Sequence, residues 1–176
     1  MKRLTIFLMV FGMFVFCSND VFARAIGLKI NYNSMMGDYS DMKLDNNISG
    51  GLFFDMGRFG FDSMDFRPGI DFVKLKNDAG TFATVWGIHC DWYWFFMEKG
   101  SLAPFIGFGP AFNYFSMNSD VAEDDDSDAG IEGFGGVEFA VNSQFKLMLE
   151  LRLVFHDIAN TGQQLFKPSL GASYSF

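Results

Sequence analysis

The chain has 176 residues, 49% of them apolar and 24 of them phenylalanine, and carries a formal charge of −8. Phosphate backbones require a basic footprint, so this balance excludes nucleic acid as a partner. With two cysteines, no disulfide framework can support the fold.

Lys2 and Arg3 precede an apolar run from Leu4 to Phe16, and Val21 and Ala23 stand three and one residues before a break. This is the layout of a secretory signal peptide cleaved after Ala23. The run is too short for the roughly 20 residues of a spanning helix. Phe16 is too bulky to precede a lipid-attachment cysteine at Cys17. The expected organisation is a cleaved signal peptide, residues 1–23, and a single exported domain, residues 24–176. Losing Lys2, Arg3 and Asp20 moves the charge to −9, and Cys90 is the cysteine left behind.

Past the leader no apolar stretch reaches the length of a membrane helix, and the pattern repeats in steps of two. Over 25–33, Ile26, Leu28, Ile30 and Tyr32 share one face, opposite Gly27, Lys29, Asn31 and Asn33. Further strands are expected over 47–57, 63–76, 81–97, 102–117 and 130–141. Over 145–156, Phe145, Leu147, Leu149, Leu151, Leu153 and Phe155 oppose Lys146, Met148, Glu150, Arg152, Val154 and His156. A helix would scatter those charges around its circumference. The last strand, 163–176, closes on Leu170, Ala172, Tyr174 and Phe176 in one register. The links near 57–61, 98–101 and 142–144 are short, whereas 34–46 and 118–129 are long and polar. Eight strands with this alternation of links predict an all-β, eight-stranded antiparallel up-and-down transmembrane β-barrel. Lipid leaves no partner for a bare strand edge, so the sheet must close. Pro68, Pro104, Pro110 and Pro168 fall inside these strands and are expected near strand ends or bulges. The 19 glycines suit a narrow lumen.

With the apolar face outward, Lys29, Arg67, Asp71, His89, Asp91, Glu132, Glu138, Lys146, Glu150 and Arg152 point inward. An eight-stranded barrel is filled by its own side chains, so these charges are expected to form a salt-bridged plug centred on Glu138, Glu150 and Arg152. A gated pore or proton path is the alternative. Tyr and Trp favour the water–lipid boundary, so Trp92 and Trp94, outward with Trp86, and the aromatics of 112–115 read as two girdles. The acidic run at 120–128 places Asp124, Asp126 and Asp128 at the spacing of half a calcium loop, although Ala129 and Gly135 stand where an EF-hand needs Gly and Glu. They are weak candidates for a divalent cation. Asp38, Asp41 and Asp45 add to a negative rim.

The leader, "APFIGFGPAFNYF", "GGVEFAVNSQFKLMLELRLVF" and the closing "GASYSF" resemble the small outer-membrane beta-barrel domain family, the OmpA- and OmpX-type eight-stranded barrels. The resemblance implies residence in the outer membrane of a Gram-negative-type cell, among lipid and lipopolysaccharide, as a monomer. It also implies that Tyr174 and Phe176 act as an insertion signal read by the barrel-assembly machinery. "FHDIAN" resembles the His-x-Ser-Asn stretch of lipid A deacylases, but Ala159 replaces the serine and His156 is one residue too far away. Without a nucleophile the chain is expected not to be an enzyme. No cofactor is expected. A structural, envelope-integrity or surface-interaction role follows. A soluble barrel holding an apolar ligand would require the opposite arrangement, with the greasy face inward.

Overall fold

The alternation is realised as eight strands: β1 (Ala25–Gly37), β2 (Asn47–Asp55), β3 (Asp65–Lys76), β4 (Phe82–Phe95), β5 (Leu102–Asn118), β6 (Asp125–Ala140), β7 (Phe145–Phe155) and β8 (Gln163–Ser175). One helical turn, α1 (Asp38–Asp41), follows β1. The computed structural model describes residues 23–41, 45–61, 63–76, 82–97, 101–118, 125–155 and 163–176. Each strand pairs antiparallel with the next, and β8 pairs with β1 to close the barrel. At the seam the Phe176 amide donates to the Arg24 carbonyl at 3.2 Å, which continues the ladder to the last residue. The signal peptide expected over 1–23 and the His156–Asn160 stretch lie outside the described residues, apart from Ala23.

Every expected strand is present, and two run further than expected. β1 continues past Asn33 to Gly37, and β6 begins at Asp125 rather than 130. The acidic segment was expected to be loop, yet Asp125, Asp126 and Asp128 pair with Ser116, Phe115 and Asn113. Backbone pairing therefore continues past the point where the sequence turns polar. Of the calcium candidates, Asp126 and Asp128 are therefore strand residues, and Asp124 lies outside the described residues.

The prolines depart from expectation in an instructive way. Pro104 is near the start of β5, but Pro110 and Pro168 are in mid-strand. The ladder opens locally instead of bulging. The β4–β5 register is unchanged on either side of a gap opposite Pro110, and the β1–β8 register is unchanged across a gap opposite Pro168. Proline has no N–H to donate, so each costs a rung while leaving the alternation of faces intact.

The outer wall is apolar. Leu28, Ile30, Ile48, Trp86, Ile106, Leu149, Leu151, Leu153 and Leu170 are all exposed, Ile48 by 72%. The lumen is packed with side chains, which need room because eight strands enclose little space. Inward glycines supply that room: the ring of Phe134 lies where Gly107 would carry a Cβ, and the ring of Phe53 does so over Gly27. A Cβ on Gly136 would overlap the carbonyl oxygen of Leu149, a backbone atom that cannot turn aside. Gly136→Val is expected to cost about 3 kcal/mol. Gly133→Ala, with nothing within 4 Å of the new methyl, is expected to change stability by less than about 0.5 kcal/mol. Urea unfolding of the two variants in detergent micelles checks the contrast.

Candidate functional site: the charged lumen

The alternation of each strand aims its charged residues inward, and they meet in two groups. At the end of the barrel that holds Arg24 and Phe176, Arg67 from β3 reaches Asp55 Oδ2 of β2 through Nε at 3.0 Å and Nη2 at 2.8 Å. Its Nη1 reaches Glu138 Oε2 of β6 at 2.8 Å. Lys146 Nζ of β7 takes the other oxygen of Glu138 at 2.7 Å. The Gly57 amide donates to Asp55 Oδ1 at 2.8 Å, so both carboxylates have their oxygens occupied. This turn-end group is balanced, two cations against two anions.

The second group lies towards the loop end. Arg152 from β7 bonds Asp91 Oδ2 at 2.8 Å, Glu150 Oε1 at 2.9 Å and Glu132. Lys29 from β1 donates to Tyr93 Oη at 2.9 Å and to Glu150 Oε1 at 3.2 Å, and the Tyr93 hydroxyl donates to Glu150 Oε2 at 2.8 Å. Glu150 and Asp91 are wholly buried. Lys167 of β8 pairs with Asp71 of β3. His89 stands among three carboxylates, with Nδ1 2.9 Å from Asp91 Oδ2 and Nε2 3.8 Å from Asp71 Oδ1. Four carboxylates thus surround Lys29, Arg152, Lys167 and one imidazole.

Between the groups lies an aromatic layer of Phe53, Tyr93, Phe105 and Phe134 with Met148. The Arg67 guanidinium is 4.7 Å above the Tyr93 ring, and that of Arg152 is 4.3 Å above Phe134. Each cation at the layer is held by carboxylates on its polar side and by a π face on the other. At the loop end Met35, Val73, Val85, Val154 and Leu165 form an apolar lid. A cavity of about 30 Å³ lies beneath it, lined by Asp71, His89, Asn113, Glu132 and Lys167 among others, with room for about one water.

His89, Asp91 and Glu132 have the ligand types and spacing of a metal site. Asp91, through Oδ2, and Glu132, through Oε1, are both held by Arg152. A guanidinium already fills the place of a cation there.

The expected lumen residues Lys29, Arg67, Asp71, Glu138, Glu150 and Arg152 all face inward, as do His89, Asp91, Glu132 and Lys146. The expected centre is divided, however. Glu138 belongs with Arg67 at the turn end, whereas Glu150 and Arg152 lie beyond the aromatic layer. Lys167, Asp55 and Tyr93 were missed, although their parity was legible: Lys167 is in phase with Ser169 and Gly171, Asp55 with Phe53, and Tyr93 with Asp91. Trp86 and Trp94 are on the outer wall, and Tyr174 is exposed beside Phe145.

No protein-family model matches the chain, and no curated protein matches it. Solved structures do. Neisserial surface protein A aligns with a TM-score of 0.70 at 15% identity, covering 86% of this chain and 96% of that one. The N-terminal barrel domain of Pseudomonas aeruginosa OprF aligns at 0.56 and 10% identity, covering 88% and 98%. The attachment invasion locus protein of Yersinia pestis, solved with the heparin analogue sucrose octasulfate, aligns at 0.57 and 9% identity, covering 86% and 97%. The chain has the fold of the small eight-stranded outer-membrane barrels.

Proposed function

We propose that this chain is an outer-membrane barrel, exported on a cleaved leader (residues 1–23), that stabilises the envelope and presents acidic loops at the cell surface. One observation carries the reading: a wall of exposed aliphatic side chains encloses a buried ionic interior, an arrangement that water would invert and lipid favours. The soluble ligand-holding barrel requires apolar residues to fill the core, and here the core holds Lys29, Arg67, Glu150 and Arg152.

The lumen is a plug rather than a path. An ion entering from the turn end meets paired Arg67 and Glu138, then four aromatic rings, and one entering from the loop end meets the apolar lid. Hydrophobic constrictions gate by excluding water. The barrel is expected to give no resolved conductance steps in planar lipid bilayers at 100 mV. Regular ohmic steps from the natural chain would overturn the closed-lumen reading in favour of a narrow gated pore.

Asp38, Asp41, Asp45, Asp125, Asp126 and Asp128 belong to the segments at the loop end of the barrel. The Yersinia neighbour was solved with a sulfated ligand, whereas acidic residues repel sulfate. The fitting partners are divalent cations and, through them, phosphorylated lipopolysaccharide. Manganese added at millimolar concentration is expected to broaden amide resonances at the loop ends of β5 and β6 in the natural chain. Asp126→Asn with Asp128→Asn should weaken that binding at least threefold. Equal broadening in the double variant would remove these two residues from the site. Insertion by the barrel-assembly machinery through Tyr174 and Phe176 belongs to the same reading.

A further inference from the structure

Gly87 of β4 stands between two polar residues. It pairs with Asp71 of β3 on one side and with Asn113 of β5 on the other, and all three face the lumen. Neighbouring strands are spaced about 4.8 Å apart, so the backbones of Asp71 and Asn113 are separated by about 10 Å across a residue that has no side chain. A Cβ on Gly87 would stand 3.1 Å from Asn113 Oδ1 and 3.7 Å from Asp71 Cβ. The cavity of about 30 Å³ beneath the apolar lid lies at this row, with all three residues in its wall.

Two polar atoms of that wall, Asp71 Oδ1 and Asn113 Nδ2, are buried without a hydrogen-bond partner among the described residues. Asn113 as a whole is 5% exposed. Lys167 takes the other oxygen of Asp71, and His89 Nε2, 3.8 Å from Asp71 Oδ1, is beyond hydrogen-bond reach of it. Leaving a buried donor and a buried acceptor both unmade is costly, and a shared partner would relieve both at once.

We propose that this cavity is a binding site for a single water molecule, which accepts a hydrogen bond from Asn113 Nδ2 and donates one to the Asp71 carboxylate. One orphaned atom is a donor and the other an acceptor, and water is the smallest species that serves both. A metal cation has nothing to offer the amide N–H, and a halide has nothing to offer the carboxylate. The volume admits one water and no larger alcohol or amine. Val73, Val85, Val154 and Leu165 belong to both the lid and the cavity wall and enclose it. The bound water joins β3 to β5 over Gly87, so solvent completes the plug where a side chain is missing. The site uses the closed lumen, which the conductance measurement reads separately, and a dry cavity would leave that measurement unchanged.

The test is a high-resolution crystal structure of the barrel as the natural chain, Asn113→Leu and Gly87→Ser, each first shown to be folded by its gel mobility before boiling. The natural chain is expected to show one density peak in the cavity, within hydrogen-bond distance of both Asn113 Nδ2 and the Asp71 carboxylate, and unchanged in height when rubidium replaces sodium in the crystal. Asn113→Leu removes the donor and is expected to lose the peak. Gly87→Ser is expected to lose it too, because its hydroxyl takes the water's place. An empty cavity in the natural chain would overturn the proposal, as would a peak that strengthens with rubidium or one that persists in either folded variant.

Discussion

Arg152→Met destabilises the folded barrel by about 3–5 kcal/mol, the size expected when one partner of a buried ionic network is removed. Among the described residues Arg152 is the one side chain that touches Asp91, Glu132 and Glu150 together, and its loss leaves three carboxylates in a lumen that water does not freely enter. Lys29 still reaches Glu150, and His89 still reaches Asp91, so neither Glu132 nor Asp91 recovers a guanidinium. Methionine fills much of the volume, which separates charge from packing. The rest of the effect comes from the π contact with Phe134. The measurement is urea unfolding in lipid vesicles followed by tryptophan fluorescence. A loss below about 1 kcal/mol would mean that water enters the network and solvates it, contrary to a sealed lumen.

Leu151→Arg tests the opposite face and has the second large effect. Leu151 is half exposed on β7, between Gly135 of β6 and Pro168 of β8, in the middle of the apolar wall. In a bilayer an arginine there costs about 2–4 kcal/mol near the midplane, and the cost falls towards the interfaces. Phe145→Arg, at the turn end of the same face, should therefore cost less than half as much. On a water-exposed wall both substitutions would be close to neutral. The two positions share a strand and a face, so the gradient between them reports depth in the membrane and little else. Equal small effects at both would contradict a lipid-facing wall.

Much of this arrangement was legible in the sequence, and the parts that were not have physical causes. Strict alternation in 145–155 fixed both faces of β7, because one register step would exchange Leu149 with Glu150. The same parity placed Lys29, Arg67 and Glu138 inward. Alternation says which face a residue takes but not which neighbour it meets across the lumen. That depends on strand tilt and stagger, which local pattern does not encode. Parity alone therefore groups Glu138 with Glu150 and Arg152, although the aromatic layer separates them. The layer itself was hidden because Phe53, Tyr93, Phe105 and Phe134 are apolar residues on the polar face. The rule "apolar outward" assigns the outer wall and is silent about what fills the middle. The inward glycines are the available signal, since Gly27, Gly107 and Gly136 mark where the rings of Phe53, Phe134 and Phe105 come against the wall. The ends of β1 and β6 are hidden for a different reason. Their polar side chains read as loop, while pairing with β8 and β5 continued beneath them.

The most direct test of a closed barrel with lipid outside is heat modifiability. Residues 24–176 are refolded into detergent micelles and run on a gel with and without boiling, alongside circular dichroism. A strand-rich species that migrates fast unboiled and slows after boiling is the predicted result, because the sealed ladder and buried ion pairs resist the gel detergent until heated. A water-soluble species whose mobility is indifferent to detergent and boiling would contradict the account.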